Sequence, residues 1–194
     1  MRRVACALVL ALSAPALPHR LDEYLQLTAL SLSKGKVGAK MILTPGVAVA
    51  RRIVALIDAN RDGTISEKEK QTYAHRVLGD VSLTVDGVRL KPRLVSYRFP
   101  RTAEMVKGVG EIDLNLSAPV RGGAGEHRLR FENRHQKAVA AYLVECYAPD
   151  DPDLRVVAQN RSVEQERYEL RYRQSGSRPI LGRTLAFRSS STRP

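Results

Sequence analysis

The chain contains no tryptophan, and aromatic residues make up only 5% of it. Single-stranded nucleic acid is gripped by stacking bases on aromatic faces, so that class of partner has little to hold here. Cysteine is scarce too, with only Cys6 and Cys146. Cys6 lies in a segment expected to be removed, which leaves one thiol and no internal disulfide. Cys146 falls in an apolar strand pattern and reads as a packing residue. Catalytic motifs are missing: the chain has no G-x-S-x-G, no H-E-x-x-H and no Gly-rich phosphate loop. Adjacent carboxylates occur at Asp22-Glu23 and Asp150-Asp151, but such pairs in turns are ordinarily just solvated. An enzyme is therefore not expected.

Acidic charge is in short supply. Lys and Arg number 32 against 20 Asp and Glu, a formal net charge of +12. This balance suits anionic partners in general. No basic cluster sits inside a nucleic-acid-binding motif, so a soluble basic protein without a nucleic-acid partner is the simpler reading.

Long apolar runs are also absent. Val4 to Leu17 is the main one, and fourteen residues fall short of the roughly 20 a helix needs to span a bilayer. Arg2-Arg3 precede it, and Ser13-Ala14-Pro15-Ala16 close it with small residues. Residues 1–18 are thus predicted to be a secretory signal, cleaved after Ala16 or slightly later, which places the protein in the periplasm or outside the cell. A lipid anchor on Cys6 is discounted, because Cys6 stands too near the start to follow an apolar region.

The most specific pattern is Asp58 to Glu69, D-A-N-R-D-G-T-I-S-E-K-E. Every position of D-x-[DN]-x-[DN]-G-x5-E is filled. Calcium takes six to eight oxygens, and the loop can offer them in order. Asp58, Asn60 and Asp62 supply side-chain oxygens, Thr64 a backbone carbonyl, Ser66 a direct or water-borne ligand, and Glu69 two carboxylate oxygens. Gly63 stands where the chain must turn with positive φ. Ile65 is expected to face the core. Before the loop, Val47, Ala50, Arg51, Val54 and Ile57 fall near helical spacing, with Pro45-Gly46 as a start signal. After it, Ser66-Glu67-Lys68-Glu69 is a capping box, Tyr73, Val77 and Leu78 continue the helix, and Gly79 can end it. Residues 45–80 resemble an EF-hand. No second loop accompanies it, three carboxylates are a modest count, and Arg61, Lys68 and Lys70 oppose a cation. Calcium (Ca2+) is the expected ligand, with Kd on the order of 10⁻⁴ to 10⁻³ M.

Elsewhere the apolar period is two. Leu21 to Leu32 and Val37 to Leu43 form an expected hairpin around Ser33 to Lys36. Val81 to Val85, the Asp86-Gly87 turn, and Arg89 to Phe99 form another, interrupted by Pro92. Glu111 to Leu116 and His127 to Glu132 alternate cleanly. Val139 to Tyr147 is more continuously apolar and suggests a central strand. Leu154 to Ala158 and Tyr168 to Tyr172 complete the set. Seven to nine short strands around one helical pair predict a mainly β fold with some α. The expected form is an antiparallel immunoglobulin-like β-sandwich over residues 19–173, with the helix-loop-helix inserted between early strands. A barrel is the alternative. From Gln174 the pattern stops, and 174–194 is expected to be a disordered basic tail.

Several runs carry a second resemblance: H-R-L-D-E-Y-L-Q (His19 to Gln26), L-T-P-G-V-A-V (Leu43 to Val49), L-I-D-A-N-R-D-G (Leu56 to Gly63), and F-E-N-R-H (Phe131 to His135) followed by Tyr142-Leu143-Val144. Over residues 19–173 the chain resembles the exported N-terminal portion of bacterial HupE/UreJ-type membrane proteins. The resemblance implies nickel or cobalt handling and a membrane-associated partner. In those proteins membrane helices follow, and none follows here. A shortened gene and a free-standing exported relative both fit. His19, at or near the mature N-terminus, could chelate nickel with the terminal amine, and His135 could assist. His75, His127 and His135 have no ligand spacing among them and read as structural or surface residues.

Overall fold

The computed structural model describes residues 22–176. The expected signal segment, His19 and tail residues 177–194 lie outside them. Strands β1 (Tyr24–Ser33) and β2 (Lys36–Pro45) lead into helices α1 (Val47–Ile57) and α2 (Glu67–Gly79). Strands β3 (Val81–Val85), β4 (Val88–Arg89) and β5 (Arg93–Arg98) follow, then the short helix α3 (Thr102–Val106). The rest is strand: β6 (Ile112–Pro119), β7 (Gly125–Asn133), β8 (Ala140–Cys146), β9 (Leu154–Arg161) and β10 (Arg167–Gln174).

These strands form two five-stranded sheets, in the orders β5-β6-β2-β1-β8 and β4-β3-β7-β10-β9. Both are mostly antiparallel, and the chain is mainly β. Alternation explains the pairing: Leu30, Met41 and Leu114 from the first sheet and Leu83, Leu129 and Leu170 from the second enter one buried cluster. Asp86 and Gly87 both have positive φ, 51° and 81°, the primed turn that closes a two-residue hairpin between β3 and β4.

Several expectations need correcting. Arg89 to Phe99 is not one strand. Pro92 has no N–H to give a ladder, and the chain leaves the second sheet there. It resumes as β5, paired with β6 in the first sheet. Val139 to Tyr147 does not hold a central strand: β8 is an edge, and it runs parallel to β1, which departs from a wholly antiparallel design. Its apolar run arises because Tyr142 and Val144 face the core while Leu143, 41% exposed, faces out. The strand count rises to ten among the described residues, partly because the break at Pro92 makes two strands of one run. Gln174 still belongs to β10 and is buried, so the ordered pattern runs one residue past the expected boundary.

The helix pair sits between β2 and β3, as the pattern requires. The helical spacing read before the loop is there as α1, whose buried residues are Val49, Ala50, Ile53 and Ile57, with Val54 partly buried against the core. Val47 is 47% exposed, and Arg51 is exposed too. The short helix α3, a helix with no sequence expectation, packs against α1. On α2 the buried residues are Tyr73, Ala74 and Val77, and Leu78 is partly buried against the core.

Leu129 is wholly buried between β3 and β10, so Leu129→Ala should cost about 2–5 kcal/mol in urea denaturation. Val163→Ala, at a position 94% exposed, should stay within about 0.5 kcal/mol.

Candidate functional site

The loop begins where α1 ends. Asp58 caps that end, and its backbone N–H donates to the Val54 carbonyl. Its side chain turns into the loop, where one carboxylate oxygen accepts from Gly63 N–H at 2.9 Å and the other from Asp62 N–H at 3.2 Å. Gly63 has φ +82°, so any Cβ there would meet backbone strain. Asn60 Oδ1 accepts from Asp62 N–H at 3.1 Å, and Asn60 Nδ2 donates to Asp62 Oδ2 at 2.8 Å. Asp62 Oδ1 accepts from Thr64 N–H at 2.8 Å. The loop is thus wound around its own short acidic and amide side chains.

Glu69 spans the two ends of this winding. Its Oε1 accepts from the backbone N–H groups of Ala59 and Asn60, at 2.9 and 3.3 Å. Its Oε2 accepts from Ser66 N–H at 2.9 Å and from the Ser66 hydroxyl at 2.7 Å. Ser66 in turn accepts from Glu69 N–H, completing the expected capping box at the start of α2. The Ser66 hydroxyl, helped by loop N–H groups, holds the Glu69 carboxyl below the usual carboxylate range. Ile65 is half-buried and packs on the core, as its position predicts.

The structure therefore brings Asp58, Asn60, Asp62, Thr64, Ser66 and Glu69 into one hydrogen-bonded loop. It does not bring their carboxylates together into a cage: among the described residues, no group of three or more His, Cys, Asp and Glu is placed to hold a metal ion. Each of the three carboxylates accepts from loop N–H groups. The donor set is all oxygen, which fits a hard cation and not a soft one. Of these side chains only Asp58 is buried, and the middle of the loop is exposed.

A second polar assembly lies inside the domain, and sequence pattern alone did not reveal it. His135 follows β7 and is 0% exposed. Its Nδ1 lies 2.7 Å from Asp80 Oδ2, at the end of α2, and its Nε2 lies 2.9 Å from the Tyr73 hydroxyl. Tyr73 also meets the Tyr24 hydroxyl of β1 at 3.0 Å. The His135 carbonyl accepts from Gln26 Nε2 at 2.8 Å and from the Tyr142 hydroxyl at 3.0 Å. Asn133 completes the set, donating to Gln26 Oε1 and accepting from His135 N–H. Burial lowers the His135 pKa against the opposing pull of Asp80. A neutral ring donating to Asp80 and accepting from Tyr73 satisfies every partner. The visible clue was Gln26 and Asn133, polar residues at inward positions of otherwise apolar strands.

The remaining candidates are less engaged. His75 is exposed on α2. His127 is held by Asp86 at 2.7 Å and by the Gly123 carbonyl at 3.0 Å. Burial pushes the Cys146 thiol up to about 11, so it stays protonated and unreactive near neutrality. An open hollow of about 540 Å³ lies on the second sheet among residues that include Arg130, Arg161 and Arg167, and none of its lining belongs to loop 58–69. No helix among the described residues is long and apolar enough to cross a membrane. Comparison with protein-family models yields no match for this chain, and comparison with curated proteins yields none.

Two measurements address the buried assembly. Tyr73→Phe removes the hydroxyl shared by Tyr24 and His135 and should cost about 1–3 kcal/mol in denaturant unfolding. The His135 pKa is depressed on folding, so below the ordinary histidine value near 6.5 the unfolded chain binds the extra proton first. Stability should therefore fall as pH drops through that value and level off below the folded-state pKa. In His135→Gln this particular slope should vanish, which unfolding curves taken from pH 7.5 down to about 5 would reveal.

Proposed function

We propose that residues 58–69 bind a single calcium ion in an exported, non-enzymatic domain, with the ion serving mainly as a structural brace. The observation that carries this reading is the winding of the loop about Gly63, with Asp58 fastened to Gly63 and Asp62 and with Glu69 reaching both loop ends. In this reading Asp58, Asn60, Asp62 and Glu69 offer side-chain oxygens, Thr64 its carbonyl, and Ser66 a weak or water-borne contact. The helix-loop-helix is then an EF-hand, inserted into an immunoglobulin-like sandwich. The two sheets and their shared core support the sandwich, and the parallel β1–β8 pair is its main departure.

Thermal melts with calcium, with nickel and with chelator test this. At about 5 mM calcium and a Kd of 10⁻⁴ to 10⁻³ M, mass action should add about 1–2 kcal/mol, a rise of several degrees in Tm. Asp58→Ala and Glu69→Ala should each abolish the rise. A calcium response that survives in both variants would remove the loop as the site, and sub-micromolar affinity would refute the weak-site reading.

A second reading is a nickel- or cobalt-handling accessory domain of a HupE/UreJ-type system, working with a membrane-associated partner. What favours it is that Tyr24, Gln26, Asn133, His135 and Tyr142, all from the runs that carry that resemblance, meet in one buried assembly. Both His135 ring nitrogens are engaged there, so His19 and the terminal amine would have to supply the ligands. Under this reading nickel raises Tm, and blocking the N-terminal amine cancels the rise.

A further inference from the structure

The outer faces of the two sheets differ in kind. On the first, Leu25, Leu27, Ile42 and Leu143 border a shallow apolar depression. On the second, the outward positions of β7 and β10 carry Arg128, Arg130, Arg171 and Arg173. Register sets Arg128 directly opposite Arg171, and Arg173 directly opposite Arg155 of β9. Like charges directly opposite each other destabilise a sheet.

Neighbouring acids only half relieve this. Glu169 is shared by Arg128 and Arg130, at 3.4 and 2.7 Å. Glu126 is shared by Arg171 and Arg173, at 3.3 and 3.4 Å. Arg155 forms no ion pair among the described residues. Glu132, on the same outward row, is taken by Arg134. Three carboxylates among Arg128, Arg130, Arg134, Arg155, Arg167, Arg171 and Arg173 leave surplus positive charge on one side of the domain. Stability alone gives no reason for that arrangement, whereas an anionic partner does.

We propose that this face docks on an anionic phospholipid bilayer. Arginine forks match phosphate oxygens better than lysine does. Strands about 4.8 Å apart, with outward side chains repeating about every 6.8 Å, spread the charge in two dimensions. A bilayer presents its phosphates as a plane, while a nucleic-acid strand presents them as a line. The face also lacks what nucleic acid needs. Tyr168 and Tyr172 point into the core, so β10 offers no ring for base stacking, and a broad sheet face cannot enter a major groove. Val157, at the bulge beside Arg155 and 44% exposed, adds an apolar contact.

The test is cosedimentation of the full chain with phosphatidylcholine vesicles, with and without phosphatidylglycerol, at low and raised salt. The quantity read is the part of binding that depends on the anionic lipid. It should be present at low salt and fall as salt rises. Each arginine removed from the face should weaken it about five-fold, so R128Q/R171Q should lose roughly twenty-five-fold. The thermal midpoint of that variant should change little, because the loss of two exposed ion pairs is offset by the removal of a like-charge pair. R51Q/R52Q, which removes the same charge from exposed positions of α1, should bind almost as the parent does. Equal binding to both vesicle types, or an equal loss in R51Q/R52Q, would overturn the proposal. So would tighter binding to duplex DNA or to an acidic polypeptide at the same salt.

Discussion

The hydrogen bonds running from Asp80 through His135 and Tyr73 to Tyr24 tie one helix to both sheets. Asp80 and Tyr73 stand on or beside α2, Tyr24 opens β1 in the first sheet, and His135 follows β7 in the second. Gln26, Asn133 and Tyr142 fix the backbone around the ring. A buried polar group without a partner costs more than a made bond returns, so such a cluster is stable only when every member is matched. That requirement sets the position of α2 on the sheets, and α2 sets the position of the loop that precedes it.

Local signals were legible where the residue type itself dictates the backbone. Gly63 and Asp86-Gly87 adopt positive φ because few other residues do so cheaply, and Ser66 with Glu69 caps α2 by chemistry contained within four residues. Alternation revealed most of the strands for the same reason. What stayed hidden depends on partners distant in the chain. Nothing near Val139 to Tyr147 says that this strand lies at an edge or runs parallel to β1. Val47 and Arg51 satisfy a helical period as well as Val49 and Ile53 do, and only packing against distant elements distinguishes them. In the site, the loop positions could be read from spacing, but the turning of Asp58 and Glu69 toward loop N–H groups could not. The convergence of Tyr24, Tyr73, Asp80 and His135 spans residues 24 to 135, and sequence periodicity is blind to such distances.

The charge distribution follows from the same architecture. Two sheets that share one core have two outer faces free to differ in chemistry, since neither contributes to the buried cluster. The apolar outer residues of the first sheet and the paired arginines of the second are therefore surface choices, not demands of the fold. The measure of such a choice is its cost. Arg128 opposite Arg171 is mildly unfavourable in isolation, whereas Val81, Leu83 and Leu170 inside are plainly favourable.

The tethering of α2 also bears on what a cation at the loop can do. A sensor loop works by letting its two helices swing apart when the ion binds. Here α2 is held at its start by the capping box and along its length by Tyr73, Val77 and Asp80. Swinging it outward would break the bond from Tyr73 to His135 and from Asp80 to His135 and would expose Tyr73 and Val77. Each broken bond to a buried group costs about 1–3 kcal/mol, and exposing the two side chains adds a comparable amount. A site with millimolar-range affinity has only about 1–2 kcal/mol to give at millimolar calcium. Under the proposed reading, an ion bound that weakly would not drive the opening. It would deepen the existing arrangement, because drawing Glu69 and Asp58 toward a shared charge would tighten the turn between α1 and α2.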